Sequence, residues 1–206
     1  MMKHLVYGDT GRILANENLL REEDVVLCAI GGMVPENAGS LYVPERVASS
    51  FPEGEVKVYF DLEVQSFFGK MVEEVKGGSE KGVFRLRRKG PYEREIMASD
   101  LFVLSGIFGE PDEVRLKTRK LGSVSHEIAM VRFGGVMSHL EYTRSNAPES
   151  LEVEWSGIKQ IVEFDCAGMD GKLTYSLERI LEHAKNRQDA GKYVAYLDLV
   201  KGGVEA

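Results

Sequence analysis

The sequence predicts an α+β fold: an open, mostly antiparallel sheet with helices on one face, plus a small N-terminal βαβ remnant. Residues 96–108 have the apolar spacing of a helix, and strand patterns follow one another from 113 to 165. Helical patterns on either side of that run predict a helix layer on the sheet. A strand, a glycine turn, a helix and a second strand within residues 3–30 indicate the βαβ unit.

The composition is that of a globular chain with one large domain, or one domain and a small appendage. The chain has 206 residues, of which 43% are hydrophobic and 29% charged, and its net charge is −7. That negative charge argues against nucleic acid and anionic membranes as partners, and no apolar run is long enough to cross a bilayer. Cys28 and Cys166 lie far apart in mostly apolar stretches, which predicts buried thiols and a cytoplasmic protein.

The N-terminal unit is predicted from two apolar strand patterns, residues 3–7 and 24–30, with a helix over 12–23. The turn after the first strand consists of Gly8, Asp9, Thr10 and Gly11. It is a candidate for binding a phosphate at the N-terminus of the helix, but two glycines are more often only a turn. Prolines and glycines predict a loop or a broken helix over 33–52, and we divide the chain into 1–52 and 53–206.

The middle of the chain alternates strands and helices. Residues 55–62 and 83–89 alternate as strands do, and 64–76 have helical spacing. In the helix over 96–108, Asp100 is a weak catalytic candidate that could hold a polar ligand; the alternative is an ion pair with an arginine such as Arg94. Gly109 fits the C-cap of this helix.

A hairpin is predicted between strands 125–133 and 136–144. Gly134 and Gly135 lie between them, and both central positions of a type I′ turn need positive φ. Phe133 then pairs with Val136, and one face is apolar. The opposite face mixes methionines with polar groups and is a candidate interface formed by Met130, Arg132, Met137, His139 and Glu141.

Histidines and basic residues form two further patterns on the predicted strands. His126 and His139 share the mixed face but lie two residue pairs apart, so no metal site is predicted. Basic residues alternate along 83–89 and 113–121; we expect a solvated face balanced by Glu152 and Glu154, and the alternative is an anion-binding patch. Helices are predicted over 173–186 and after Gly191.

One set of spaced residues in the second half of the chain matches a known pattern: Asp100, Leu101, Gly109, Glu110, Pro111, Val114, Gly135, Arg144, Ser145, Gly157, Phe164 and Asp165. With these residues, the chain from about residue 55 to the C-terminus resembles the C-terminal domain of the Gfo/Idh/MocA family (glucose–fructose oxidoreductase, inositol dehydrogenase and rhizopine catabolism). The resemblance implies an N-terminal Rossmann domain that binds a nicotinamide dinucleotide. It also implies dimers and tetramers formed through the exposed sheet face.

The chain departs from the family pattern at the residues that bind the cofactor and that take part in the reaction. The N-terminal part is far shorter than a Rossmann domain and has no GxGxxG, and the family's Glu-Lys-Pro motif has no counterpart. The histidine expected three residues before Asp100 is Met97, which cannot transfer a proton. The sequence therefore has no recognisable cofactor-binding loop and no recognisable counterpart of the family's lysine or histidine.

Three functions follow as hypotheses. The first is a truncated, inactive family member that forms a homo-oligomer, binds no cofactor and holds at most a small polar ligand. The second is an NAD(P)-dependent oxidoreductase acting on a sugar or polyol. The third is a subunit that completes its cofactor site with another polypeptide.

Overall fold

The structure, a computed structural model, describes residues 3–22, 24–32, 38–51, 55–77, 81–165 and 173–202. The strands are β1 (Lys3–Gly8), β2 (Ile13–Leu14), β3 (Val25–Ala29), β4 (Ala38–Pro44), β5 (Val56–Tyr59), β6 (Gly82–Gly90), β7 (Glu113–Leu121), β8 (Val124–Phe133), β9 (Val136–Arg144), β10 (Ser150–Gly157), β11 (Ile161–Asp165), β12 (Tyr175–Ser176) and β13 (Lys185–Asn186). The α-helices are α1 (Glu17–Glu22), α2 (Asp61–Val64), α3 (Phe68–Gly77), α4 (Glu95–Phe108), α5 (Leu177–His183), α6 (Arg187–Gly191) and α7 (Val194–Gly202). A 3-10 helix covers Glu45–Ser50.

The chain forms two compact units, and each contains two stretches of sequence. The first unit contains Met1–Ser66 and Thr174–Tyr193, and the second contains Phe67–Leu173 and Val194–Ala206. The sequence-based boundary at residue 52 falls inside the first unit because β5 pairs with β4 and extends the same sheet.

The first unit is built on a five-stranded sheet in the order β13-β5-β4-β1-β3. β1 runs parallel to β3 and β4, β4 runs parallel to β5, and β13 is antiparallel to β5. The predicted pairing of the first two apolar strands is confirmed. The residues of β4 were predicted as loop or broken helix because Gly39 and Pro44 disfavour strands. Pairing with a strand on each side overrides that propensity.

The helix predicted over 12–23 is wrong in its first half. Ile13 and Leu14 form β2, which pairs in parallel with β12, and α1 begins only at Glu17. The helix predicted over 64–76 is likewise divided: α2 ends at Val64 and α3 begins at Phe68. Between them Gln65 forms a bridge with Tyr175, and a long-range partner of this kind leaves no local signal in the sequence.

The second unit contains a six-stranded sheet in the order β11-β10-β6-β9-β8-β7, in which β6 and β9 are the parallel pair. Its inward side chains pack under α4, where the ring of Phe108 lies 5.7 Å from Phe84 and 5.8 Å from both Phe133 and Trp155. The predicted fold class, an open and mostly antiparallel sheet with helices on one face, is confirmed for this unit.

The hairpin register is confirmed, since Phe133 pairs with Val136 and Met130 with His139. The turn type is not: Gly134 has a positive φ of 54° and Gly135 does not, which fits a type II′ turn. Gly109 takes the predicted C-cap position with a φ of 90°.

The helix predicted over 173–186 is shorter in the structure. It is reduced to α5, with β12 before it and β13 after it. Cys166 lies outside the described residues. None of the helices within the described ranges has the length and apolar character needed to cross a membrane.

Candidate functional site

The carboxyl-end edge of the parallel sheet in the first unit is the first region that bears on function. β1 has β3, the next strand of the same sheet, on one side and β4 on the other. Open α/β sheets bind ligands at the carboxyl end of the strand where the connections change direction in this way. Gly8 is the last residue of β1, and Asp9, Thr10 and Gly11 follow it, so the sequence candidates lie at the edge where a ligand would be expected.

Gly8 is buried under a tyrosine side chain from β5. Tyr59 is 2% exposed, and its hydroxyl donates a hydrogen bond of 2.6 Å to the carbonyl oxygen of Tyr7. A Cβ atom on residue 8 would lie 2.6 Å from this hydroxyl oxygen and 3.2 Å from the Ile13 Cδ1 atom. The glycine is therefore required by packing against Tyr59. Burial raises the pKa of Tyr59 well above its usual range.

Asp9 closes the rest of the loop into a turn. Its carboxylate Oδ1 accepts a hydrogen bond of 3.1 Å from the Gly11 backbone N–H, and its carbonyl accepts one of 2.9 Å from Arg12. Thr10 is exposed in this turn. The chain then continues into β2, and α1 begins only at Glu17. A pyrophosphate is bound by free backbone N–H groups at a helix N-terminus, and here a carboxylate accepts from one of them. One of the backbone donors that a phosphate could use is therefore already engaged by Asp9.

A second group of polar side chains lies after β5, and the sequence analysis did not identify it. Asp61 accepts hydrogen bonds from the Tyr175 hydroxyl at 2.5 Å and from the Gln65 side chain at 3.2 Å. The guanidinium of Arg12 lies over the Tyr175 ring, 4.7 Å from its centroid. These contacts attach the C-terminal stretch of the first unit to its sheet. Because the partners are far apart in the chain, no sequence pattern predicts them.

Asp100 is fully buried in the second unit and is held by two side chains. Arg88, also fully buried, donates from Nε to Oδ2 at 2.7 Å and from Nη2 to Oδ1 at 2.8 Å. The Tyr142 hydroxyl donates to Oδ2 at 3.0 Å. Burial, and then the charge of Asp100, raises the pKa of Tyr142 well above its usual range. Arg88 and Tyr142 therefore help to hold this carboxylate inside the protein, where it connects α4 to β6 and β9.

The structure confirms the alternative reading that Asp100 pairs with an arginine, but the partner is Arg88 and not the Arg94 given as the example. Arg94 lies just before α4 and forms an ion pair with Glu127, with Nε 3.5 Å from Oε1. Six residues separate it from Asp100, so the two positions are on different sides of the helix. Arg88 reaches Asp100 because it is on the inward face of β6, together with Phe84 and Leu86.

The open face of the six-stranded sheet is the second region that bears on function. The candidate interface residues all lie on it: Met130 and Met137 are each 39% exposed, Arg132 is exposed, and His139 and Glu141 are half-buried. His139 Nδ1 lies 3.4 Å from Glu141 Oε1. His126 instead contacts Thr143, with Nδ1 3.1 Å from Oγ1, so the two histidines do not converge. Among the described residues no group of His, Cys, Asp and Glu side chains could hold a metal ion.

Arginines of β6 neutralise part of the acidic strand next to them. Arg85 pairs with Glu154, and Arg87 lies 3.3 Å from Glu141 and 3.5 Å from Glu152. A hydrogen bond from Ser156, with the Arg85 guanidinium nearby, holds the pKa of Glu154 below its usual range. The predicted balance of basic residues by Glu152 and Glu154 therefore exists in the structure. A hollow of about 280 Å³ lies beside these pairs and extends to Glu163 and Asp165.

No protein-family model and no curated protein matches this sequence. Solved structures do match. A dehydrogenase from Chromobacterium violaceum has a TM-score of 0.55 at 9% identity, covering 80% of this chain and 72% of that chain. The WlbA (WbpB) dehydrogenase from Thermus thermophilus, in complex with NAD and alpha-ketoglutarate, has a TM-score of 0.55 at 10% identity, covering 98% and 95%. GenD2 from gentamicin A biosynthesis, in complex with NAD, has a TM-score of 0.51 at 11% identity, covering 100% and 88%.

These similarities show the fold. The neighbours from Chromobacterium violaceum and Thermus thermophilus are dehydrogenases, so the dehydrogenase architecture that the resemblance implied is confirmed as a fold.

Proposed function

We propose that this protein is a non-catalytic member of the dehydrogenase fold that assembles with copies of itself through the open face of its six-stranded sheet. The observation that carries the proposal is that face itself. Its side chains are neither those of a core nor those of a plain solvated surface. A cytoplasmic location forms part of the proposal and is supported by the free, half-buried thiol of Cys28.

The composition of the open face supports an interface. Met130 and Met137 lie beside arginines and histidines, and Ile161 at the edge is 67% exposed. Methionine and arginine are enriched where proteins associate, and contiguous apolar groups on a surface commonly mark such sites. The inward face of the same sheet is already buried under helices, so association would use the face that remains open.

Three features support the absence of hydride transfer. The strand end at Gly8 is packed against Tyr59 and does not offer a phosphate cradle. Met97 stands where a proton-transferring histidine is expected and is 2% exposed. Asp100 is engaged by Arg88 and Tyr142, away from solvent. Each feature supports the proposal at a different part of a dehydrogenase site, namely the cofactor, the acid–base group and the accessible carboxylate.

Sedimentation velocity at micromolar concentration tests the assembly. We expect a dimer or larger species, and Met137→Glu should weaken it because a carboxylate would be placed within the apolar part of the face. Lys120→Glu is the matched control, since Lys120 is exposed on the other side of β7. A wild-type chain that stays monomeric up to about 100 μM, where even weak specific complexes form, would contradict the proposal.

An NAD(P)-dependent oxidoreductase acting on a sugar or polyol is the second candidate function. The parallel order of β3, β1 and β4 favours it, as do the NAD complexes of WlbA and GenD2. Calorimetry and thermal shift with NADH and NADPH at millimolar concentration separate the two functions. Heat of binding together with a raised Tm would support the enzyme; the absence of both would support the non-catalytic proposal.

A further inference from the structure

A cavity of about 700 Å³ lies on the inward face of the six-stranded sheet, at the end where β8 turns into β9. Its lining comes mainly from the last turns of α3 and α4, from the turn between the two strands and from β10, all within the second unit. None of its described lining residues belongs to the buried set around Asp100. Cavities of this size hold small organic molecules, so this region is a candidate site separate from those described above.

Aromatic and aliphatic side chains form the floor and one wall of the cavity. The floor consists of Trp155, Phe133 and Val136, which are at most 4% exposed. The wall consists of Ile107 and Phe108, which are half-buried. The Phe108 ring stacks on the Trp155 indole, with centroids 5.8 Å apart and planes inclined by 20°. An apolar group that entered the cavity would therefore leave water for a surface of hydrocarbon and aromatic rings.

Two glycines make room for the indole in this floor. Gly82 and Gly157 are register partners on β6 and β10. A Cβ atom on Gly82 would lie 2.5 Å from the Trp155 Cη2 atom, and one on Gly157 would lie 2.8 Å from its Nε1 atom. Backbone contacts and the Phe108 ring together fix the position of the indole. The floor is therefore formed before any ligand arrives, which lowers the ordering cost of binding.

Two lysines add positive charge to the lining of the cavity. Lys76 lies in the last turn of α3, Lys81 lies just before β6, and both are exposed. The C-terminal ends of α3 and α4 oppose them, since each helix end carries about half a negative charge. Two full positive charges thus outweigh roughly one negative charge from the helix ends. The charge of the lining therefore favours an anion.

Acidic side chains near these lysines are engaged outside the cavity. Asp112 accepts a hydrogen bond of 2.8 Å from a backbone N–H of the turn after β8 and lies 3.8 Å from Arg132, which offsets its charge. Glu74 accepts a hydrogen bond of 3.3 Å from the Gln160 side chain. Neither Asp112 nor Glu74 is part of the lining. Glu80, next to Lys81 in the sequence, lies outside the described residues.

We propose that this cavity binds a small amphipathic carboxylate. The apolar body of the ligand lies against Ile107 and Phe108, above the Trp155 floor, and its carboxylate lies at Lys76 and Lys81. Carboxylates form charge-assisted hydrogen bonds with lysine, whereas a ligand charged along its whole length would place charges against the apolar wall at high cost. Because the cavity is on the inward face, the proposal is independent of self-association through the open face.

Calorimetric titration of the full chain with octanoate at pH 7 tests the site. We expect saturable binding with a Kd of about 1 mM or below. Trp155 is the only tryptophan in the chain, so its fluorescence reports on the floor of the cavity. Bromine quenches indole fluorescence at short range, and 8-bromooctanoate should therefore quench Trp155 more strongly than octanoate does.

Three variants separate the contributions of charge and of apolar contact. Lys76→Glu with Lys81→Glu should raise the Kd for octanoate by about tenfold or more, because the carboxylate would face like charges. The same pair should leave the Kd for uncharged octanol within about twofold. Val136→Phe places a larger side chain in the floor and should weaken both ligands. Lys70→Glu is the matched control: Lys70 is exposed on α3 and does not line the cavity, so neither Kd should change.

Circular dichroism and the Tm confirm that each variant folds, and the lysine variants test the site even if Val136→Phe does not fold. Absence of both heat and quenching at about 10 mM octanoate, tenfold above the expected Kd, would overturn the proposal. Binding that ignores the two lysine changes would overturn it as well. Equal weakening of octanoate and octanol by those changes would contradict the assignment of the carboxylate. Sedimentation velocity measures self-association separately, so each proposal can fail without the other.

Discussion

Arg88 and Asp100 form a bidentate ion pair in which both side chains are completely buried. The pair joins the inward face of β6 to the middle of α4. The Tyr142 hydroxyl, from β9, completes the set at 3.0 Å. A carboxylate that matches the active-site helix of a dehydrogenase family is thus used to join three elements of one unit.

Replacing Asp100 with alanine should therefore lower the free energy of unfolding substantially. The change leaves the Arg88 guanidinium buried without its carboxylate, and breaking a buried pair in this way costs about 3–5 kcal/mol. Urea unfolding followed by circular dichroism measures the effect.

The matched control for this experiment is Glu152→Gln. It breaks the exposed pair with Arg87, in which the side chains are 57% and 49% exposed, and such pairs contribute at most about 1 kcal/mol. If Asp100→Ala were as mild as this control, Asp100 would not be structural, and a ligand-binding role would again be open.

Gly8→Ala should destabilise the first unit, and Tyr59→Phe should partly rescue it. The added Cβ would lie 2.6 Å from the Tyr59 hydroxyl oxygen, and overpacking of this kind costs about 1–3 kcal/mol. Removing the hydroxyl removes that clash, so the double variant should lose less than the sum of the two single losses.

Gly106→Ala serves as the control for the Gly8 experiment. A Cβ there meets nothing within 4 Å, and the residue lies inside α4, so the change should stabilise by about 0.5–1 kcal/mol. Additive losses at residues 8 and 59 would mean that Tyr59 is not the reason for the glycine.

Local patterns in the sequence predicted the second unit better than the first. Alternation along 125–144 and the two-residue loop at Gly134 determine which side chain faces which, so the register could be derived. Arg88 could also have been found: it falls on the apolar side of an alternating strand, with Phe84 and Leu86, and a buried arginine there requires an acidic partner. The prediction that Asp100 pairs with an arginine such as Arg94 did not take this alternation into account.

The first unit depends on contacts that sequence spacing does not encode. β4 is a strand because β1 and β5 pair with it on both sides, although its own residues favour turns. Tyr59 reaches the carbonyl of Tyr7, and Tyr175 reaches Asp61, across long stretches of chain. The packing of Tyr59 against Gly8 is one of these contacts, so the candidate turn could be located from the sequence but its surroundings could not be predicted.

Stability should fall at alkaline pH because of buried tyrosines. Burial and the hydrogen bond to Glu110 raise the pKa of Tyr196 to about 12, and burial raises the pKa values of Tyr59 and Tyr142 above their usual range. In the unfolded chain a tyrosine loses its proton near pH 10, so above that pH the unfolded state binds fewer protons than the folded state. The free energy of unfolding must then decrease as pH rises.

Urea unfolding between about pH 8 and pH 11, on either side of the unfolded tyrosine pKa, measures this decline. Each buried tyrosine adds a slope of at most about 1.4 kcal/mol per pH unit. Tyr142→Phe should lower stability at pH 8 and flatten the decline above pH 10. A decline as steep as that of the wild type would show that Tyr142 ionises in the folded protein.

The turn between β8 and β9 should tolerate a side chain at one glycine and not at the other. Gly134 has a φ of 54°, and its N–H donates to Asp112 Oδ2 at 2.8 Å. A side chain in this left-handed region costs about 1–2 kcal/mol, so Gly134→Ala should lower the free energy of unfolding by that amount. Gly135→Ala should change it by less than about 0.5 kcal/mol, because a type II′ turn needs positive φ only at its first central residue. Equal losses at both glycines would instead indicate the type I′ turn, since that turn requires positive φ at both positions.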